Sequence, residues 1–196
     1  CPSDLRAYLN PRPGQSGMSM PSTPGHEWVG IVVALGPSES DAGDAPAIKV
    51  GDRVVADWRQ VCGKCYQCRR GVFNYCENLR HGVRGGFAGY GVAPLTQLRI
   101  IPDAVSFEAA SFTEPLACVI QAHGYTQINL GDDVVVVGAG PIGLLHLQVA
   151  LHRGARVMVS DPIAGRLEKA RELGAHEVID ASADDAVARV KALTDG

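Results

Sequence analysis

Val134-Val135-Val136-Val137-Gly138-Ala139-Gly140-Pro141-Ile142-Gly143 is the stretch on which the fold turns. Four consecutive β-branched residues read as a strand buried on both faces. They run directly into G-x-G-x-x-G, and a helix is expected from Ile142 to about Leu151. In that setting the first glycine allows a tight turn and the second lets a pyrophosphate approach the backbone. The third permits close helix-to-strand packing, and the helix N-terminus offers unpaired N–H groups to an anion. A glycine turn used only for packing is the competing reading, and the order strand, turn, helix argues against it.

Downstream, Arg156–Ser160 reads as a second strand. Leu167, Ala170 and Leu173 mark a helix closed by Gly174, Glu177–Asp180 a third strand, and Val187, Val190 and Leu193 an apolar stripe on a last helix. Alternating strands and helices predict crossover connections between parallel strands, hence an α/β class. Residues 117–196 are expected to form the first half of a Rossmann doubly wound sheet binding NAD, its second half lying outside this sequence. Asp161, 18 residues past Gly143 at the end of the second strand, can accept hydrogen bonds from the adenosine ribose hydroxyls and repel a 2'-phosphate, which favours NAD over NADP. Its alternative role is a solvated strand end or a helix N-cap. The cofactor site is therefore assigned to Gly138, Gly140, Pro141, Ile142, Gly143, Asp161 and Arg166.

Upstream the composition changes. Residues 1–116 are rich in Gly and Pro, with short β-type runs such as Trp28–Val33 and Arg53–Ala56, and the stretch Gly36–Pro46 has the make-up of an exposed loop. The whole chain of 196 residues is 46% hydrophobic and 20% charged, with a formal net charge of −3, so it can bury an ordinary core. Residues 1–130 carry 11 basic against 11 acidic side chains and residues 131–196 carry 7 against 10, so neither part offers a cationic field for nucleic acid. No apolar run approaches the roughly 20 residues that cross a bilayer. No membrane partner is expected, and a cytoplasmic location is the default. The chain opens on Cys1 without methionine and stops directly after a helix-like stretch, so it is expected to be a segment of a longer protein.

Cys62, Cys65, Cys68 and Cys76 give C-x2-C-x2-C-x7-C, placing four of the six cysteines within 15 residues. Thiolates at this density in a reducing compartment point to one tetrahedral zinc at about 2.3 Å per sulfur, a closed structural site. Lys64, Arg69 and Arg70 can offset the net negative charge of such a centre. A ferredoxin-type cluster would want a different spacing and a proline beside its last cysteine, which Asn74-Tyr75-Cys76-Glu77 lacks. Two disulfides would need an oxidising compartment.

Cys1-Pro2-Ser3-Asp4, Gly25-His26-Glu27, Gly51-Asp52-Arg53-Val54, the cysteine lobe, Gly85-Gly86-Phe87-Ala88, Glu114-Pro115-Leu116-Ala117 and the glycine turn follow one another along the chain. In this order they resemble the zinc-dependent medium-chain dehydrogenases, the family of the zinc alcohol and sorbitol dehydrogenases. The resemblance implies a GroES-like β-rich catalytic domain over 1–116, its N-terminal strands missing, followed by the cofactor domain over 117–196. It implies a second zinc, catalytic, held by Cys1, His26 and Glu114, with Glu27 either an exchanging ligand or a neighbour of the ligands. Ser3 matches the hydroxyl that carries the substrate proton outward, and Asp4 the carboxylate that orients the ligand histidine. Cys118 is expected as a buried thiol. Pro2 stands in place of the usual glycine and restricts the backbone. Arg6 stands where several relatives have a histidine, and it cannot act as a base near neutral pH.

The implied activity is hydride transfer between NAD and a secondary alcohol or polyol-like small molecule, in a homodimer or homotetramer. Two other readings stay open: an NAD-dependent sugar-modifying enzyme that uses transient oxidation, and a non-catalytic zinc- and nucleotide-binding protein. Cys1→Ala should abolish turnover while leaving NADH binding largely intact. Parallel turnover and fluorescence-titration measurements check this, and equal loss of both would refute the division of labour.

Overall fold

The computed structural model describes residues 2–9, 23–37, 47–80 and 85–194, so Cys1 and most of the Gly36–Pro46 loop lie outside the described residues. The chain divides into two compact units, Cys1–Glu114 and Pro115–Gly196. The first holds an antiparallel sheet and the second a parallel sheet with crossover helices, the β-rich and α/β parts that the sequence predicts.

In the first unit, helix α1 (Pro2–Leu9) is followed by an antiparallel sheet in the order β1 (Val29–Ile31), β2 (Arg53–Ala56), β3 (Leu98–Ile100). The short α2 (Tyr66–Arg69) falls between β2 and β3, within the cysteine lobe. Pro2 occupies the first helical position of α1, where its fixed φ suits a helix and its missing N–H is not needed. The restriction expected of it therefore favours the local structure. Opposed residues Gly30, Val54 and Ile100 share one sheet face. Val32, Ile48, Val54, Ala56 and Leu98 close the core there, with Trp28, Ala93 and Leu95 against them.

Gly51-Asp52-Arg53 fastens this sheet to the segment after β3. Gly51 turns at φ +95°, and the Asp52 carboxylate accepts the Lys49 N–H at 2.8 Å. Arg53 then donates to the Val105 carbonyl at 2.6 Å and lies 4.5 Å over the Phe107 ring. One guanidinium thus fixes the entry to α3 (Phe107–Ser111), whose N-cap Ser106 accepts from the Ala109 N–H.

The second unit holds a parallel sheet in the order β4 (Asp133–Val137), β5 (Arg156–Asp161), β6 (Glu177–Asp180). Helix α4 (Thr113–Gly124) leads into it, α5 (Pro141–His152) connects β4 to β5, α6 (Ala164–Glu172) connects β5 to β6, and α7 (Ala186–Leu193) comes last. Gly174, at φ +95°, ends α6 as expected. Val157, Met158 and Val159 of the central strand are fully buried, and Val136, Ala139, Leu147, Ala150, Ala155 and Ala170 complete the core around Val157 and Val159.

Two expectations are corrected. The valine run is not buried on both faces: within β4 only Val136 is buried, and Val137 is 85% exposed. The reason is position, since among the described residues β4 has a sheet neighbour on one side and β5 on both. The stripe expected on α7 lies on a helix that packs against β6, with Val190 and Leu193 half-buried and Val187 exposed. Cys118 is exposed on α4, which turns Pro115, Val119 and His123 inward at four-residue spacing and leaves position 118 about 100° away.

Among the described residues no helix is long and apolar enough to cross a membrane. Leu147→Ala, at a fully buried position, should lower the unfolding free energy by about 2–5 kcal/mol, whereas Val137→Ala should change it by less than about 0.5 kcal/mol. Denaturant titration of both variants measures the difference.

Candidate metal and cofactor sites

Glu114 lies far along the chain from the adjacent His26 and Glu27, yet the three bring ligand atoms within 4.8 Å of one another. His26 and Glu27 sit just before β1, and Glu114 sits in the first turn of α4. The imidazole is aimed by α1: Asp4 meets His26 Nδ1 at 3.3 Å with its Oδ2 and accepts the Gly25 N–H at 3.2 Å with its Oδ1. With Nδ1 engaged by a carboxylate, Nε2 is the ring nitrogen left available to a metal. The Trp58 ring stands edge-on to His26 at 5.9 Å.

The loop that carries His26 is held by glycines. Gly25 turns at φ +99°, and a Cβ there would lie 3.0 Å from the Phe87 nitrogen. Phe87 and Gly86 donate N–H bonds back to the Pro24 and Gly25 carbonyls at 3.1 and 3.2 Å. Side-chain-free residues on both segments are what allow this approach, which accounts for Gly85-Gly86-Phe87. Ser3 is exposed on α1, as is Arg6, and Cys1 lies outside the described residues. An imidazole and two carboxylates form a donor set that suits zinc with room for a further ligand.

In the cysteine lobe all four sulfurs lie within 4.8 Å of one another, and a tetrahedral zinc at about 2.3 Å per sulfur would need roughly 3.8 Å between them. Cys62 Sγ and Cys68 Sγ are 4.0 Å apart. Backbone N–H groups of Cys65, Cys68 and Cys62 point at the sulfurs of Cys62, Cys65 and Cys76 at 3.4, 3.5 and 3.3 Å. Such donors favour thiolate: the Cys62 thiol is brought down to about 6, chiefly by the backbone N–H groups of Lys64 and Cys65. Cys65 is lowered as well, by those of Cys68 and Glu77. Cys68 is pushed up to about 12 by burial and by its fellow thiols, a cost that a cation among them would reverse. Of the expected basic offsets, Arg70 lies over the Tyr66 ring at 5.3 Å and donates to its hydroxyl.

In the second unit Gly138 turns at φ +97°, and a Cβ on Gly143 would stand 1.8 Å from the Gly138 carbonyl oxygen. Nothing within 4 Å would meet a Cβ on Gly140, so that face is open to a ligand. Gly140 caps α5 without a side chain and Pro141 has no N–H, which leaves the N–H groups of Ile142 and Gly143 at a positive helix end with no side-chain acceptor from the cap. These features suit a bound pyrophosphate. Asp161 closes the turn from β5. It is 3% exposed, accepts the Ala139 and Ile163 N–H groups at 2.8 Å each, and lies 3.6 Å from Arg166 Nη1. Burial pushes its pKa up, but those two N–H groups and Arg166 together draw it below the ordinary carboxylate range.

The family profile for the alcohol dehydrogenase GroES-like domain matches residues 1–103, more than half of the chain, and that for zinc-binding dehydrogenases matches 141–196. The chain belongs to the zinc-dependent medium-chain dehydrogenases. A sorbitol dehydrogenase of Halalkalibacterium halodurans is 39% identical, the alignment covering all of this chain and 56% of that protein. An L-threonine 3-dehydrogenase of Pyrococcus horikoshii is 38% identical over the same shares. Among solved structures, a zinc-binding dehydrogenase of Sinorhizobium meliloti bound to NADP superposes with a TM-score of 0.82 at 36% identity, covering 95% of this chain and 53% of that one. The chain thus spans about half the length of the curated relatives it matches.

Within this medium-chain dehydrogenase chain the structure brings together His26, Glu27 and Glu114, the four lobe cysteines, and the glycine turn with Asp161. The sequence reading misses Trp58 beside His26 and a buried His123 against His146. Trp58 could have been found by following β2 two residues beyond its end; a contact between two helices leaves no comparable signal. Gly143→Ala should displace the Gly138 carbonyl, lowering Tm and weakening NADH binding together, whereas Gly165→Ala, where a Cβ meets nothing, should do neither. Thermal unfolding and NADH titration of the two variants decide it.

Proposed function

We propose that the chain is the catalytic and cofactor-binding part of a zinc-dependent oxidoreductase that transfers a hydride between a secondary alcohol or polyol-like substrate and NAD. The observation that carries this is the convergence of His26, Glu27 and Glu114, with Asp4 aiming the histidine, in a chain that also builds an open glycine turn at a helix N-terminus. Cys1, His26 and Glu114 would hold one zinc, with Glu27 exchanging at it, and Cys62, Cys65, Cys68 and Cys76 a second. Bound zinc supplies Lewis acidity toward an alcohol oxygen, and bound NAD the hydride acceptor.

The chain's own residues do the rest. Asp4 keeps the proton on His26 Nδ1 and so keeps Nε2 a ligand. Ser3, exposed on α1, takes the substrate hydroxyl's proton and passes it outward. Arg6 follows it on the same helix and cannot accept that proton, so the relay ends in solvent at Ser3. Gly138, Gly140, Pro141, Ile142 and Gly143 receive the pyrophosphate. Asp161, ionised at neutral pH, accepts ribose hydroxyls and repels a 2'-phosphate, which supports NAD. Arg166 beside it partly offsets that charge, and the S. meliloti relative holds NADP. The named relatives act on sorbitol and L-threonine, which supports a polyol or amino-alcohol substrate.

The test is NAD reduction by the full-length protein against a panel of polyols and secondary alcohols, with zinc counted per chain. Two zinc atoms are expected. Asp4→Asn should lower activity or zinc affinity by about 10–100-fold, and His26→Ala should remove one zinc and all turnover while NADH still binds. A single zinc per chain, unaffected by His26→Ala, would leave a nucleotide-binding protein with a structural metal only.

A further inference from the structure

The second unit contains a histidine pair that neither metal nor cofactor site uses. His123, in the last turn of α4, is 5% exposed, and its ring stacks on that of His146 of α5 with centroids 5.0 Å apart and planes 26° from parallel. The two rings meet through His123 Nε2 and His146 Nδ1 at 2.9 Å. Among the described residues His123 Nδ1 is buried with no hydrogen-bond partner. Arg153, capping α5, donates to the His123 backbone carbonyl at 3.0 Å.

We infer that this pair is an acid-sensitive latch holding α4 to α5. A 2.9 Å contact between two imidazole nitrogens requires one N–H and one lone pair, so at least one ring must be neutral. A proton on both rings turns the bond into two N–H groups facing each other. A proton on His123 alone creates a buried N–H at Nδ1 with nothing to accept it. The titratable and charged neighbours acting on His123 are His146 and Arg153, both from α5 and its cap, and both oppose a positive charge. Burial acts in the same direction and is the larger effect, so His123 resists protonation below the ordinary imidazole value.

The folded unit binds fewer protons at His123 than the unfolded chain does, and this fixes the sign of the pH dependence. The stability this contributes is complete above the ordinary value of about 6.5 and is lost as pH falls below it. Because α5 begins on the glycine turn, loosening it would also disturb the N–H groups assigned to the cofactor. This second consequence rests on the proposed cofactor role of that turn.

The experiment compares the zinc-loaded full-length protein with His123→Gln, which keeps a polar partner opposite His146 and removes the ring that resists protonation. Between pH 7.5 and 5.5 the wild-type Tm should fall more than the variant's by about 5 °C or more. Zinc loss in acid is common to both and cancels in the difference. NMR of the wild-type imidazoles should show His123 still neutral at a pH where exposed histidines have protonated, and this decides the matter even if the variant does not fold. Equal Tm losses, or His123 protonating at the ordinary value with the fold intact, would overturn the latch. NADH affinity should fall with acid more in wild type; no NADH binding at pH 7.5 beside an intact latch signature counts against the cofactor reading alone.

Discussion

The 1.8 Å that would separate a Cβ on Gly143 from the Gly138 carbonyl is the constraint on which the cofactor unit depends. It states how closely α5 approaches the end of β4. That closeness brings Ala139 into the core and Leu147 and Ala150 to full burial against β5. It also leaves the first N–H groups of α5 at the mouth of the turn, with no side chain of the cap to satisfy them. Packing and the exposure of these donors are one geometry: relaxing the first by adding a methyl group would move the N–H groups at the helix end.

The first unit works by a similar economy of side chains around a carboxylate and an imidazole. Asp4 divides its two oxygens between a ring nitrogen and a backbone N–H of neighbouring residues, so the rotation of His26 and the path of its loop are set by one carboxylate. The loop can take that path because Gly25 adopts a left-handed conformation and Gly86 approaches it without a side chain. Pro2 starts the helix that delivers Asp4. The imidazole is thereby held in one orientation by α1 and by its own loop, which is what a preorganised ligand position requires.

Legibility in the sequence depended on whether the signal was local. The glycine turn, its flanking strand and helix, and the cysteine spacing are short-range patterns, and the structure builds each where the residues suggest. Burial was less readable. A run of four valines describes a strand suited to two covered faces, yet its cover depends on neighbours that the run cannot specify, and Val137 stands exposed at a sheet edge. Cys118 failed by a single step of helical phase, a matter settled by which face of α4 carries Val119 and His123. The meeting of His26 with Glu114 is separated by 88 positions and was accessible only through resemblance, because no periodicity links them. The pairing of His123 with His146 joins two helices and had no motif to announce it.

Asp161 shows why a familiar role and a structural one need separate arguments. An acidic residue at the end of the second strand is commonly read as a ribose acceptor, but this carboxylate is almost wholly buried and already receives N–H groups from the glycine turn and from the entry to α6. Each oxygen has a second lone pair, so accepting a ribose hydroxyl remains compatible with those bonds. The consequence is that its charge cannot be removed without also loosening Ala139. Asp161 thus shapes the turn itself, and the exposed Arg166 is the group of the pair whose charge can be altered while the turn keeps its N–H acceptor.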